Sequence, residues 1–270
     1  MRRWLHDRLI ESQKRQEAGR AEGFTLIEMA IVLAIGGLIL GMGLVSGAQM
    51  LEGAKRKTST ERIAKIEDAL VVYAVGHSKS LPCPADGALN SGDANYGLAQ
   101  GTATCTVNNN QAVVPWRSLG LDEILSRDGW DHRISYNVAG MDAANALSIT
   151  NGGLTLVNNT SYAYGTLIVQ NVANDEMTYS NGGCSNVNTG CAAYVLISHG
   201  QRAAGAWTAG GTQLTSPAVS IADGENNDAD ATYVQDNPID IGTNASFDDI
   251  TRWRSAPTLI NECQNAGGCT

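Results

Sequence analysis

Gly23-Phe24-Thr25-Leu26-Ile27-Glu28 leads directly into MAIVLAIGGLILGMGLVSGAQML, Met29 to Leu51, an uncharged run of 23 residues. As an α-helix this run is about 34 Å long, and a bilayer's hydrocarbon core is about 30 Å thick. It therefore predicts a single membrane-spanning helix. A buried core helix is the weaker reading, because uncharged runs of this length are rare inside small soluble domains. A secretory signal peptide fits poorly as well. Its apolar region spans about 7–15 residues before a small-residue cleavage site, and no such site follows here. Gly37/Gly41 and Gly43/Gly47 have G-x-x-x-G spacing, which lets helix backbones approach closely in lipid.

Outward from the run, the two flanks differ. Met1 to Gly23 carries six basic and four acidic residues, while Lys55, Arg56, Lys57, Arg62 and Lys65 follow on the other side. Positive charge on both sides leaves orientation nearly undecided. The cysteines decide it. All six lie beyond residue 82, at Cys83, Cys105, Cys184, Cys191, Cys263 and Cys269. An even number confined to one part of a chain predicts disulfides made in an oxidising compartment. Spacing favours Cys83–Cys105, Cys184–Cys191 and Cys263–Cys269, each closing a short loop. Metal binding is the rival reading, but there is no C-x-x-C, and His6, His77, His132 and His199 show no ligand spacing with the cysteines.

Glu28 sits where the apolar stretch has already begun. A carboxylate at that depth either snorkels to the headgroups or awaits a cation. The hexapeptide Gly23 to Glu28, followed by the long apolar helix, closely resembles the processing site of type IV prepilins and type II secretion pseudopilins. The resemblance implies that prepilin peptidase cuts after Gly23 on the cytoplasmic side and methylates the new amino group of Phe24. It also implies that Glu28 pairs with the Phe24 ammonium of a neighbouring subunit during assembly. N-methylation retains that positive charge, so the pair survives it. Where the family usually places Lys or Arg before the glycine, this chain has Glu22, with Arg20 the nearest base. The implied partners are prepilin peptidase, other pilin or pseudopilin subunits, the inner-membrane assembly platform and membrane lipid. The implied location is the bacterial inner membrane, single-pass with the C-terminal head periplasmic, and then an extracytoplasmic filament.

The helical pattern continues past Leu51. Ile63, Ile66, Leu70 and Tyr73 share one face, Gly76 offers a stop, and Pro82 and Pro84 forbid continuation soon after. One helix of about fifty residues is predicted. Beyond residue 80 the composition turns to Gly, Asn, Thr, Ser and Asp, with β-type runs at Gln111–Val114, Ile134–Val138, Gly153–Val157, Tyr162–Val172 and Ala192–Ser198. Arg117–Leu125 reads as a further short helix, and Ile250–Cys263 contains another. The expected fold class is α+β, a pilin-like lollipop with a long N-terminal helix packed on an antiparallel β-sheet head with disulfides. Its parts are a cytoplasmic leader at 1–23, a transmembrane and assembly helix at 24–51, an amphipathic stem at 52–76 and an extracytoplasmic head at 77–270.

Two head segments extend the resemblance. Asp128-Gly129-Trp130, followed by Arg133-Ile134-Ser135-Tyr136, is similar to the Asp-x-Trp-Gly…Tyr stretch of pseudopilins, with Asp131 in place of the glycine. Phe247-Asp248-Asp249-Ile250 with Trp253 resembles the C-terminal end of some pseudopilins. Trp130 and Trp253 read as packing residues.

No G-x-S-x-G, H-E-x-x-H, Walker loop or G-x-G-x-x-G is present, and Ser198-His199-Gly200 reads as a strand end and turn, because neighbouring strand residues face opposite ways. No enzymatic activity is expected. Asp223, Glu225, Asp228 and Asp230 fall within eight residues. Hard oxygen ligands at that density suit calcium, although the spacing is not that of an EF-hand, and a solvated acidic loop is the competing reading. Some major pseudopilins have a calcium site in a C-terminal loop. No other cofactor is expected. The net charge of −9 argues against nucleic acid, which needs clustered bases. Without the leader the side chains carry 12 bases and 23 acids. The chain thus reads as a structural, minor subunit of a type IV pilus or type II secretion pseudopilus; the alternative is a filament-tip adhesin that uses a pilin stem.

Overall fold

The computed structural model describes residues 25–77, 80–101, 105–139, 167–178, 190–218, 222–228, 230–239 and 246–268, without the side chains of residues 39–48, 109, 256 and 260. One α-helix, α1, runs Leu26–Gly76 over 51 residues. It contains no proline, and it ends at the glycine that the sequence marked as a stop. The chain divides into two units, Met1–Leu51 and Glu52–Thr270.

In the first unit the described apolar side chains face outward, with Leu26 90%, Leu33 69% and Leu38 63% exposed. Among the described residues no helix is long and apolar enough to cross a membrane. The predicted span includes residues 39–48, whose side chains lie outside the described residues.

In the second unit, α1 buries Ile63, Ile66, Leu70 and Ala74 completely. Full burial of a side chain such as Ile or Leu contributes about 1.5–3 kcal/mol, so this face holds the helix to the sheet. Ala74, four residues after Leu70, continues the stripe. Tyr73 instead stacks on His77 with ring centroids 3.7 Å apart.

The main sheet has five antiparallel strands: β1 (Ala85–Asp86), β2 (Ala112–Val113), β4 (Ser135–Val138), β6 (Ala192–Ser198) and β9 (Ile250–Ser255), in the order β1-β2-β4-β6-β9. Strands β3 (His132–Arg133) and β7 (Trp207–Thr208) form an antiparallel pair, and β5 (Ile168–Gln170) and β8 (Thr232–Val234) a parallel one. Every residue of β6 is buried. Ala193, Tyr194 and Leu196 pack with Ile63, Ile66, Leu70 and Tyr136. Ala192, Val195 and Ile197 pack with Leu167, Val169 and Tyr233. Ala193 and Tyr194 can share a side because the β6–β9 register shifts between Ala192 and Tyr194, as a bulge allows. A strand apolar on both faces lies between two cores.

Ile250–Cys263 does contain a helix, α3 at Ala256–Asn265, and edge strand β9 (Ile250–Ser255) precedes it. The change from strand to helix has a local cause. Ile250, Thr251 and Trp253 favour a strand, Ser255 caps α3 by accepting from the Thr258 amide, and Pro257 stands in its first turn. Arg117–Leu125 forms turns followed by a 3-10 helix at Glu123–Ser126, with Gly120 at φ +68° interrupting any α-helix. The Gly153–Val157 run and the first part of Tyr162–Val172 lie outside the described residues, and β5 is the described strand of the latter.

Cys83 and Cys105 form a disulfide with Cα atoms 5.3 Å apart. Cys191 and Cys263 are also disulfide-bonded, while Cys184 and Cys269 lie outside the described residues.

Candidate functional site

The start of α1 is built by Thr25 and Glu28. The Thr25 amide and hydroxyl each donate to Glu28 Oε2 at 2.9 Å, and the Glu28 amide donates back to Thr25 Oγ1 at 3.2 Å. This is a capping box, in which a Thr and the Glu three residues on satisfy each other's free amides. Gly23 and Phe24, the predicted cleavage and methylation residues, lie outside the described residues.

A second constellation fastens the stem segment of α1 to the head. Asp128 is buried, and its Oδ1 accepts from the Trp130 and His132 amides, both at 2.9 Å. Its Oδ2 accepts from Ser198 Oγ at 2.8 Å. Arg62 donates to the Arg127 and Asp128 carbonyls at 3.0 and 2.8 Å, and the Gly129 amide donates to Ser59 Oγ at 2.8 Å. Trp130 Nε1 donates to Glu52 Oε2 at 3.3 Å, and the Arg56 guanidinium lies 5.9 Å from the Trp130 ring centroid. Asp131, where the resembling stretch has glycine, adopts φ +71°. Asp tolerates that left-handed conformation better than most side chains.

The acidic residues singled out in the loop do not form one group. Asp223 is drawn inward from α2 (Ala222–Glu225) to meet Asp248 and Asp249, all three buried and with ligand-capable oxygens within 4.8 Å of one another. Glu225, Asp228 and Asp230 form a separate, more exposed group. Burial and the neighbouring Asp249 and Asp248 carboxylates push Asp223 up to about 6. Burial also raises Asp228, to about 6. Arg202 partly compensates the buried group: its amide donates to Asp248 Oδ2 at 3.0 Å, and Nη1 lies 3.3 Å from Asp223 Oδ2. Asp248 Oδ1 and Asp249 Oδ1 are buried without a hydrogen-bond partner. Asp248 also lines a surface cleft with Arg56, Gln201, Pro238 and Phe247, which offers an ion a route in. The buried group fits a hard cation better than the loop does, because buried carboxylate oxygens without donors require compensation. Asp248 and Asp249 could not be linked to Asp223 from spacing alone; the only signal was their place in the segment resembling pseudopilins.

Ser198 and His199 point to different partners. Ser198 binds Asp128, whereas His199 Nε2 lies 2.8 Å from Ser135 Oγ, and its Nδ1 is 3.7 Å from Asp249 Oδ2. Ser135, His199 and Asp249 thus follow the order of a hydrolase triad, an arrangement hidden in the sequence by the distances between them. All three are buried, Ser135 lies within β4, and Nδ1 makes no hydrogen bond. Burial pulls the His199 imidazolium down, and the Asp249, Asp128 and Asp223 carboxylates more than reverse this, so it titrates above the usual histidine range. His199 is enclosed with Ser135 and Asp249, so its contacts are those of a buried polar network.

Residues 19–44 match the family model of the prokaryotic N-terminal methylation motif. The matched stretch spans both Gly23–Phe24 and Glu28. The chain carries the signature of the type IV prepilin and pseudopilin family. No curated protein and no solved structure matches the chain.

Proposed function

We propose that the protein is a structural subunit, minor in abundance, of a type IV pilus or type II secretion pseudopilus. It is inserted once through the bacterial inner membrane by residues 24–51, with the lollipop arrangement of the family and its disulfide-bonded head in the periplasm. Prepilin peptidase removes residues 1–23 and methylates Phe24, and the assembly platform then incorporates the subunit with other pilins. The observation that carries the reading is the methylation motif at residues 19–44, joined to the capped α1 that begins within it. Its role is structural, not enzymatic.

Mass spectrometry of the membrane-extracted protein should find an N-methylated chain beginning at Phe24, and an intact Met1 would overturn the reading. Glu28→Leu should insert normally but assemble poorly, because the neighbour's ammonium loses its carboxylate. Immunolabelling along the filament supports a shaft subunit; labelling confined to tips would favour the adhesin.

Calcium binding is part of the same proposal, with Asp223, Asp248 and Asp249 as its carboxylates rather than the Glu225, Asp228 and Asp230 group. Millimolar calcium should raise Tm, by mass action on the folded state. Asp248→Asn should abolish the rise and Asp228→Ala should retain it. The reverse pattern would move the site to the outer group, and no rise in the unsubstituted protein would remove calcium altogether.

A further inference from the structure

We infer that Trp130, with Lys55 and Lys57 of α1, docks on anionic lipid headgroups at the end of the membrane span, which rests on reading residues 24–51 as that span. α1 is continuous from Leu26 to Gly76, so depth past the apolar run can be counted along its axis. At a rise of about 1.5 Å per residue, Glu52 to Lys57 occupy about 9 Å beyond Leu51. The polar layer on each side of the hydrocarbon is about 5–8 Å thick. The Trp130 loop is fastened to this same stretch. Trp130 Nε1 donates to Glu52 Oε2 at 3.3 Å, and Gly129 packs against the Lys55 carbonyl. A half-buried indole thereby stands at headgroup depth, where the apolar body and polar N–H of tryptophan are both accommodated.

The distribution of charge selects anionic lipid as the partner. Residues 52–65 carry five bases and two acids, whereas residues 66–270 carry seven bases and 20 acids. Anionic lipid repels so acidic a domain, and attracts only the basic collar beside the span. The acids of the collar do not cancel its lysines. Glu52 is already engaged by Arg56 at 3.2 Å and by the Trp130 N–H. Glu61 lies 3.7 Å from Lys57, but these side chains are 62% and 78% exposed. An exposed pair of that kind is weak and yields to a phosphate. Lys55 makes no ion pair among the described residues. Asp131, the exposed acid of the loop, is paired with Arg127 at 3.1 Å. Lysine stems lie along a helix and carry their ammonium groups to headgroups near by.

The test uses the full chain in liposomes, with lipids brominated next to the headgroup as quenchers of tryptophan fluorescence. The Trp130 signal is the difference between the unsubstituted chain and Trp130→Phe, which removes the background of the other four tryptophans. Trp130 should be quenched in phosphatidylcholine vesicles that are about one quarter phosphatidylglycerol. Pure phosphatidylcholine, or the double variant Lys55→Gln with Lys57→Gln, should lower that quenching by about twofold or more. The lipid exchange and the lysine variant are also read with Trp130 in place, so the result does not depend on Trp130→Phe folding. An absence of Trp130 quenching in every lipid would overturn the inference and leave the loop to a neighbouring subunit. Equal quenching in neutral and anionic vesicles would overturn it as well, because the lysines would not be recognising charge. Release of the chain by an alkaline carbonate wash is a different failure: it would remove the membrane span itself, and the docking with it.

Discussion

Gly129→Ala is expected to destabilise the head by about 2–4 kcal/mol, the range of an overpacked, poorly yielding contact. A Cβ on Gly129 would lie 2.2 Å from the Lys55 carbonyl oxygen and 2.7 Å from its carbon. Those atoms belong to the backbone of α1, so they cannot swing aside as a side-chain tip could. Relief requires separating the loop from the helix, which also stretches the Gly129–Ser59 and Arg62–Asp128 hydrogen bonds. Gly53→Ala is the matched control. It lies on the same helix with nothing within 4 Å of its Cβ position, and it should stabilise by up to about 1 kcal/mol through helix propensity. Thermal unfolding of the full chain in detergent would separate the two. Equal Tm for both variants would show that the loop does not press on the helix.

Asp128→Ala should cost about 3–5 kcal/mol. The carboxylate satisfies two backbone amides and the Ser198 hydroxyl, and each buried donor left unpaired costs about 1–3 kcal/mol. Three such losses sum to more than this at their upper limit, and water entering to replace some of the bonds keeps the cost within it. Asp128→Asn is the discriminating variant. Its Oδ1 keeps both amides, and the Ser198 hydroxyl can rotate to accept from the new amide group. It should therefore recover more than half of the loss in chemical denaturation. If asparagine were as damaging as alanine, the negative charge and not the hydrogen bonds would be what matters, with the nearby His199 as its beneficiary.

Much of the local structure was legible without coordinates. The stem's apolar stripe could be read because Ile63, Ile66 and Leu70 recur at helical spacing, and β6 because AAYVLIS is a short buried run bounded by turn residues. The helix start is legible as a motif, while the capping box within it shows in the hydrogen bonds between Thr25 and Glu28, whose spacing suits one. Elsewhere the pattern is incomplete. Ile250–Cys263 contains the helix its apolar residues suit, but the strand before it is hidden: β6 offers an open edge to Ile250–Ser255, and six paired residues outweigh weak local propensity.

The acidic loop shows the limit most clearly. Asp223, Glu225, Asp228 and Asp230 look like one group in sequence, and folding divides them between a buried group and a surface group. No spacing rule reveals that Asp223 meets residues 25 positions away, or that Ser135, His199 and Asp249 converge.

By itself the sequence determined the processing motif, the helix that begins in it, and the division between a long apolar run and a cysteine-bearing, acidic head. These are contiguous properties, set by hydropathy, periodicity and charge within one stretch of chain. Tertiary structure alone decided how Asp128 clamps the stem, which carboxylates are buried together, and that Ser198 and His199 take separate partners. Each depends on which strand edges pair and which faces become buried, and those are settled by packing between segments far apart in the chain.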